Sequence, residues 1–242
     1  MNYSNHMKEQ PTLLKAIELI LAKPSDIRKK VQKFKARYQK HGKKEQDRTM
    51  KDRIANQLIS SYSNKAGLSG GATAMIGIIP GLGTAIEIFG GATADMALCM
   101  KFQIEMTMAI ACLYGQDIEA ETGKKQYFII AGLSTINIEA IKQGGEQAAK
   151  LLTRLIQHYL EEASFDAIRI LFKKVSITLS KKLLQKAIPF GIGAVIGFSS
   201  NKTLTWMVGQ RVKDFFAAAS ISTVYISPIK EPEINGHEKS SL

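Results

Sequence analysis

Two glycine-rich apolar segments, each containing a proline, constrain the fold of this chain more than any other feature of its sequence. The first, residues 66–86, holds six glycines and Pro80 and carries no charged side chain. The second, residues 187–201, has the same character around an Ile-Pro pair. Glycine lets apolar segments approach closely, whereas proline interrupts a helix. We therefore expect each segment to form a hairpin of two closely packed apolar arms.

The remaining periodicity is helical. An amphipathic helix is predicted from Leu13 to Leu21, before Pro24, and Ser25-Asp26 should cap the next one. A long helix is predicted over residues 84–114, with Gly90-Gly91 as an interruption and Gly115 as its C-cap. Further amphipathic patterns follow at residues 124–142, 147–162 and 164–183, and a last helix should end near Phe216. The predicted fold is all-α, a single helical bundle domain.

Positive charge is concentrated near the start of the chain. The net charge is +12, and residues 1–65 hold 16 Lys or Arg against 6 Asp or Glu. We therefore divide the chain into a basic helical extension at 1–60, a helical core at 61–218 and a disordered tail at 219–242. The tail is assigned from its Ser, Pro, Glu and Lys content.

Such an extension is attracted to anionic lipid headgroups or to nucleic acid. A solvated helix face that serves solubility is the alternative. The stretch at residues 39–49 is either an exposed helix or a linker, since it holds no apolar residue. The basic residues that we expect to contact an anionic surface are Arg28, Lys29, Lys33, Lys40, Lys43 and Lys44.

Membrane insertion is the least favoured of three environments. The first glycine-rich segment has the length of a spanning helix, about 20 residues, but Pro80 and its glycines break it. The second segment is too short to span. A Gly-x-x-x-Gly spacing at Gly67, Gly77 and Gly193 permits close helix contacts in lipid or in a protein core. A soluble bundle with peripheral membrane contact is favoured over a bundle without it.

Motifs for catalysis fail in context. Residues 67–71 match G-x-S-x-G, but no hydrophobic strand precedes them. The G-x-G pairs at Gly81 and Gly191 do not complete a dinucleotide fingerprint. The four histidines are scattered, so we expect no metal, no cofactor and no catalytic residues. The chain is more readily interpreted as a protein without enzymatic activity.

Asp95 is the polar residue that stands out, because its surroundings are apolar. A buried carboxylate needs a partner or must stay protonated. A helix cap or a backbone hydrogen bond is the favoured account, and a proton or ligand site is the alternative. Gln103 and Asn201 are the further candidates for a buried polar cluster with Asp95.

Cysteine content and the N-terminal residues favour the cytoplasm. Cys99 and Cys112 fall in one predicted helix, about 20 Å apart, which is too far for a disulfide. No apolar secretory signal follows Met1. We expect a cytoplasmic protein, peripheral to the inner face of the cell membrane where it docks there.

Taken in order, the two glycine-rich blocks resemble the EcsC family of bacterial proteins over about residues 12–216. The resemblance is carried by residues 67–71, Asp95, the Tyr114-Gly-Gln-Asp117 corner, residues 188–197 with Asn201, and the helix from Val208. The polar stretch 39–49 and Val212, where a small residue is expected, depart from the pattern. The resemblance implies a helical fold, a bacterial origin and membrane association, and it supplies no catalytic residues.

The sequence therefore predicts a non-enzymatic, EcsC-like accessory or interaction factor that is peripheral to a membrane. Its partner would be an anionic membrane surface or a membrane protein complex. The alternatives are a nucleic-acid-binding protein that uses the basic N-terminal helices, and a small-molecule or enzyme site around Asp95.

Overall fold

The computed structural model describes residues 12–40, 47–68, 75–136, 154–159, 165–184 and 192–221, and these residues form helices and turns without a strand. The prediction of an all-α fold is confirmed. The helices are α1 (Thr12–Ile20), α2 (Pro24–Lys40), α3 (Asp47–Leu68), α4 (Leu82–Phe89), α5 (Gly91–Leu113), α6 (Glu121–Ile136), α7 (Phe165–Leu184) and α8 (Ile192–Ile221), with a further helical stretch at 154–159.

Helix α5 is the centre of the bundle, because it contacts each of the seven other helices named above. Over its last thirteen residues, from Lys101 to Leu113, only Cys112 is not buried. Among the described residues α5 is also the one helix long and apolar enough to cross a membrane, yet 89% of its most apolar window is buried inside the protein. Its apolar length is therefore used as the core of the bundle.

Glycine permits a close contact between three helices. Helix α8 packs along α3 and α5, and Gly209 of α8 faces Ile59 of α3 and Met106 of α5. A Cβ atom at Gly209 would lie 2.8 Å from both Ile59 Cγ1 and Met106 Sδ. A side chain at position 209 would therefore force Ile59 and Met106 to shift within a closely packed core. Gly209 lies eight residues beyond the second glycine-rich segment, and the close packing expected within that segment stays a prediction.

The boundary between α4 and α5 falls at the predicted interruption. Gly90 has φ of 80° and separates α4 from α5. The apolar periodicity had indicated a single helix here, interrupted at Gly90-Gly91. Gly115, with φ of 93°, follows the end of α5, and its N–H bonds to the Cys112 carbonyl, as expected of a glycine that ends a helix.

The start of α2 differs from its prediction. We expected Ser25-Asp26 to cap the helix, but α2 begins at Pro24 and Asp26 lies in its first turn. Proline fits the first helical position because the N–H it lacks would have no helical partner there. The last helix also extends to Ile221, five residues beyond Phe216.

Both N-terminal helices belong to the common core. Leu14 and Ile17 of α1 and Val31 of α2 are buried with the apolar side chains of α5. The division proposed at residue 60 lies inside α3. Parts of both glycine-rich segments, residues 69–74 and 187–191, and most of the predicted tail at 219–242 lie outside the described residues.

Candidate functional site

A buried ion pair ties α1 to the central helix. Lys101 and Glu105 lie one turn apart on α5, both are about 7% exposed, and Lys101 Nζ donates to Glu105 Oε1. The same oxygen accepts a hydrogen bond of 3.0 Å from the backbone N–H of Ala22, just after α1. Buried charges are tolerated when they are paired and hydrogen-bonded. Glu105 therefore neutralises Lys101 and fixes the end of α1 against α5.

Lys30 adds a second buried ammonium beside this pair. Its Nζ is inaccessible to solvent, has no hydrogen-bond acceptor among the described residues, and lies 3.5 Å from the centroid of the Tyr62 ring. Burial, together with the nearby positive charge of Lys65, lowers the pKa of Lys30 to about 7. The cluster of Lys30, Lys65, Lys101 and Glu105 thus contains three basic groups and one acidic group where α2 and α3 lie beside α5.

A groove lies next to this cluster, since Ala22, which bonds to Glu105, is among its lining residues. It is a cavity of about 460 Å³ bordered by α1, α5, α6 and α7. Four buried apolar residues form its floor, Leu14, Met108, Phe128 and Ile168. Its border is formed by the exposed lysines Lys23, Lys124 and Lys125 and by Glu18. Partial burial raises the pKa of Glu18, although the nearby charge of Lys15 acts to lower it.

An apolar turn is the second notable surface. We use this name for residues 75–81, which precede α4. Ile79 is buried and anchors the turn, whereas Ile76 and Ile78 are 45% and 73% exposed. Gly81 has φ of 79°, and a Cβ there would lie 2.7 Å from the carbonyl oxygen of Leu19, so the turn rests directly on α1. Leu19 is itself 43% exposed.

The predicted polar cluster is represented by Gln103, which is fully buried in α5. Its Nε2 donates to Thr205 Oγ1 of α8 at 3.4 Å, and its Oε1 accepts from Thr135 Oγ1 of α6 at 2.7 Å. Asp95 lies two turns earlier on α5, about 12 Å along the helix, and Asn201 lies one turn before Thr205; both are half-buried. The two threonines join three helices through Gln103.

The predicted surface cations have different settings. Arg28 is paired with Asp117 at 3.1 Å and with Glu119 at 2.9 Å, and chiefly the Glu119 charge raises its pKa. Lys29 lies 3.8 Å from Asp26, and Lys33 is exposed on α2. The side chain of Lys40 and all of Lys43 and Lys44 lie outside the described residues.

Sequence reasoning missed Lys30 and the groove. Lys30 could have been found, because it follows Ile27 by three residues and so falls on the apolar stripe of α2. The groove could not, since its walls come from four helices far apart in the chain. Within the described residues no three His, Cys, Asp or Glu side chains are grouped to hold a metal ion. Cys99 and Cys112 are not joined in a disulfide.

These features define a class: an all-helical protein wound around one apolar central helix, with a lysine-bordered groove and an exposed apolar turn. The family model described as the EcsC protein family matches residues 6–217. The chain belongs to this family, and the match includes α1 and α2. Neither a curated protein nor a solved structure matches the chain.

Proposed function

We propose that this EcsC family member is a non-enzymatic accessory or interaction factor that associates peripherally with an anionic membrane surface. The observation that carries the proposal is the apolar turn. Exposed apolar side chains gathered in one place are typical of protein or membrane contact sites. Ile76 and Ile78 project from a short, anchored turn, which is the geometry of a shallow insertion.

The apolar turn packs against α1 and the start of α4 through two glycines. A Cβ atom at Gly81 would lie 3.4 Å from Leu19 Cγ, and one at Gly83 would lie 3.4 Å from Ile76 Cγ2. The exposed side chains of Leu19 and Ile76 each lie beside a glycine, Gly81 and Gly83 respectively, and are not covered there by another side chain. Burial of such a surface in the boundary of a bilayer stabilises association by about 25 cal/mol per Å² of apolar area.

Basic residues provide the second contribution. Lys29 and Lys33 are exposed on α2, and α2 as a whole is rich in Lys and Arg. Each basic residue near an anionic leaflet contributes about 1 kcal/mol, and salt screens this attraction. The proposal therefore combines a salt-sensitive attraction with a less salt-sensitive apolar contact.

Cosedimentation with vesicles tests the apolar contact. The Ile76→Asp/Ile78→Asp variant should lose about tenfold or more in affinity for vesicles rich in phosphatidylglycerol, since two charges would enter the bilayer boundary. The matched control is Ile170→Asp/Ile177→Asp, which changes two isoleucines of similar exposure that border a separate cavity of about 770 Å³ on α7. Equal binding by both variants and the wild type would refute the role of the turn.

The same assay tests the charge contribution. Lys29→Glu/Lys33→Glu should weaken binding at low salt and have less effect at high salt, whereas Lys173→Glu/Lys174→Glu, the same charge change on exposed lysines of α7, should have little effect. Equal binding of the wild type to neutral and anionic vesicles would exclude electrostatic docking.

Nucleic-acid binding through α2 is the rival proposal from the sequence. The engagement of Arg28 by two carboxylates of the α5–α6 connection leaves one fewer cation for phosphates. Mobility-shift titration of the wild type and Lys29→Glu/Lys33→Glu with duplex DNA and RNA distinguishes the two, because the rival requires affinity that this variant loses.

A further inference from the structure

The groove combines an apolar interior with a charged border. The exposure of its four floor residues, Leu14, Met108, Phe128 and Ile168, is 7% or less. Its volume of about 460 Å³ lies within the range of about 300–1,000 Å³ that small-molecule sites occupy. An occupant of the interior is therefore expected to be apolar, because the floor offers no charged group.

The border of the groove is predominantly positive. Lys23 follows α1, whereas Lys124 and Lys125 lie in the first half of α6, and all three are exposed where they line the groove. Glu18 is the one acidic residue among the described lining residues. Clefts lined by charge of one sign concentrate ligands of the opposite sign. The end of an occupant that emerges from the groove is therefore expected to be anionic.

We infer that the groove binds a single-chain anionic amphiphile, with the acyl chain on the apolar floor and a carboxylate or phosphate head beside Lys23, Lys124 and Lys125. The floor and the border match the two halves of such a molecule. Ala22 holds the wall of the groove in place, because its backbone N–H is bonded to the buried Glu105.

This site is separate from the surface proposed to contact a membrane. On α1 the groove is lined by Leu14 and Glu18, one turn apart, whereas Leu19 contacts the apolar turn and lies about 100° around the helix from Glu18. The inference therefore goes beyond the proposed function, and a test without vesicles distinguishes the two.

The experiment measures binding of dodecanoate, dodecyl phosphate and the neutral dodecanol to the full chain, each below its aggregation concentration and without vesicles, by displacement of a dansyl-labelled fatty acid. We expect one site that takes at least one of the anionic compounds about tenfold more tightly than dodecanol. The comparison of carboxylate with phosphate identifies the preferred head. Equal affinity for all three compounds, or none, would overturn the inference.

Variants of the border and of the wall make the test specific. Lys23→Glu/Lys125→Glu should lower the affinity for the anionic compounds about tenfold and leave the affinity for dodecanol unchanged. Glu18→Gln should raise the affinity for the anionic compounds. Ala22→Phe should block all three, provided that circular dichroism shows the wild-type helix content. The inference fails if Lys23→Glu/Lys125→Glu and Ala22→Phe, the latter folded, both bind as the wild type does.

A membrane-defective variant separates this result from the proposed function. Ile76→Asp/Ile78→Asp should retain wild-type affinity for the anionic amphiphile, because the apolar turn does not line the groove. Loss of amphiphile binding in this variant would show that the displaced probe occupied the apolar turn, and the assignment to the groove would be overturned.

Discussion

Lys30 places an ammonium group where the described residues provide an aromatic contact but no hydrogen-bond acceptor. The Tyr62 ring lies under its Nζ, and Lys65 and Lys101 stand nearby with Glu105, which is already engaged by Lys101. The attraction between a cation and the face of an aromatic ring offsets part of the hydration free energy that the cation loses on burial. The remainder of the desolvation cost lowers the pKa of Lys30, from an ordinary value of 10.5 to about 7.

The sign of the resulting pH dependence follows from linkage. Below about pH 7 Lys30 is charged in the folded protein, which then carries the full free-energy cost of burying that charge. Between about pH 7 and 10.5 the folded state releases this proton whereas the unfolded state keeps it. The free energy of unfolding therefore rises with pH over this range. Lys30→Met should therefore be more stable than the wild type by about 1–3 kcal/mol at low pH, where an unsatisfied buried group is removed. Above pH 7 the gain should diminish.

Urea unfolding from about pH 6 to about pH 9 measures this gain. Lys33→Met is the control, because Lys33 is exposed on the same helix. The free energy of unfolding of this variant should differ little from that of the wild type at either pH. A Lys30→Met variant that is less stable than the wild type at all pH values would show that contact with Tyr62 outweighs the cost of burial.

The residues of the buried polar centre were only partly predictable. Gln103 was named from the sequence as a member of a buried cluster, and it is fully buried. Its partners Thr135 and Thr205 were not, since they are 32 and 102 residues away and the pattern of a single helix says nothing about which helix it meets. Long-range pairing of small polar residues requires the three-dimensional arrangement.

Helix contacts depend on one glycine at the junction of α3, α5 and α8. Gly209→Ala should destabilise the protein by about 1–3 kcal/mol, because a Cβ atom must displace Ile59 and Met106 in a closely packed core. Gly91→Ala is the matched control: apart from its chain neighbours and the backbone of its own helix, no atom lies within 4 Å of the position of its Cβ, and alanine is the better helix former. Thermal unfolding of both variants should show a lower Tm for Gly209→Ala alone; an unchanged Tm would refute the close contact.

Helices were predicted well from apolar periodicity, and their ends less well. The break at Gly90 and the end of α5 before Gly115 were recognisable because a glycine in the sequence is a local signal for the end of a helix. Both glycines have positive φ in the structure. The start of α2 was not, since Pro24, Ser25 and Asp26 are all acceptable near a helix start and packing decides among them. The walls of the groove were beyond prediction, because no local pattern relates α1 to α6 or α7.

At the scale of the whole molecule, the basic N-terminal part is not set apart from the core. Leu13, Leu14 and Ile17 of α1 are buried, α1 contacts α4, α5 and α7, and the backbone after α1 is bonded to Glu105 of α5. The charge distribution suggested an extension because charge describes the exposed faces of α1 and α2 only. Their apolar faces pack with the rest, which predicts that the chain unfolds as one cooperative unit.

Two probes at separate places test this cooperativity. Trp206 is the single tryptophan of the chain and reports on α8, whereas far-ultraviolet circular dichroism reports on all helices. Ile17→Ala removes a fully buried side chain of α1 and should cost about 2–5 kcal/mol, and the transitions of both probes should shift together. Leu19→Ala, at a residue of the same helix that is 43% exposed, should cost clearly less than Ile17→Ala, because less apolar area is lost. If Ile17→Ala shifted the dichroism but left the Trp206 transition in place, α1 would unfold separately from the core, and the unit built around α5 would begin after it.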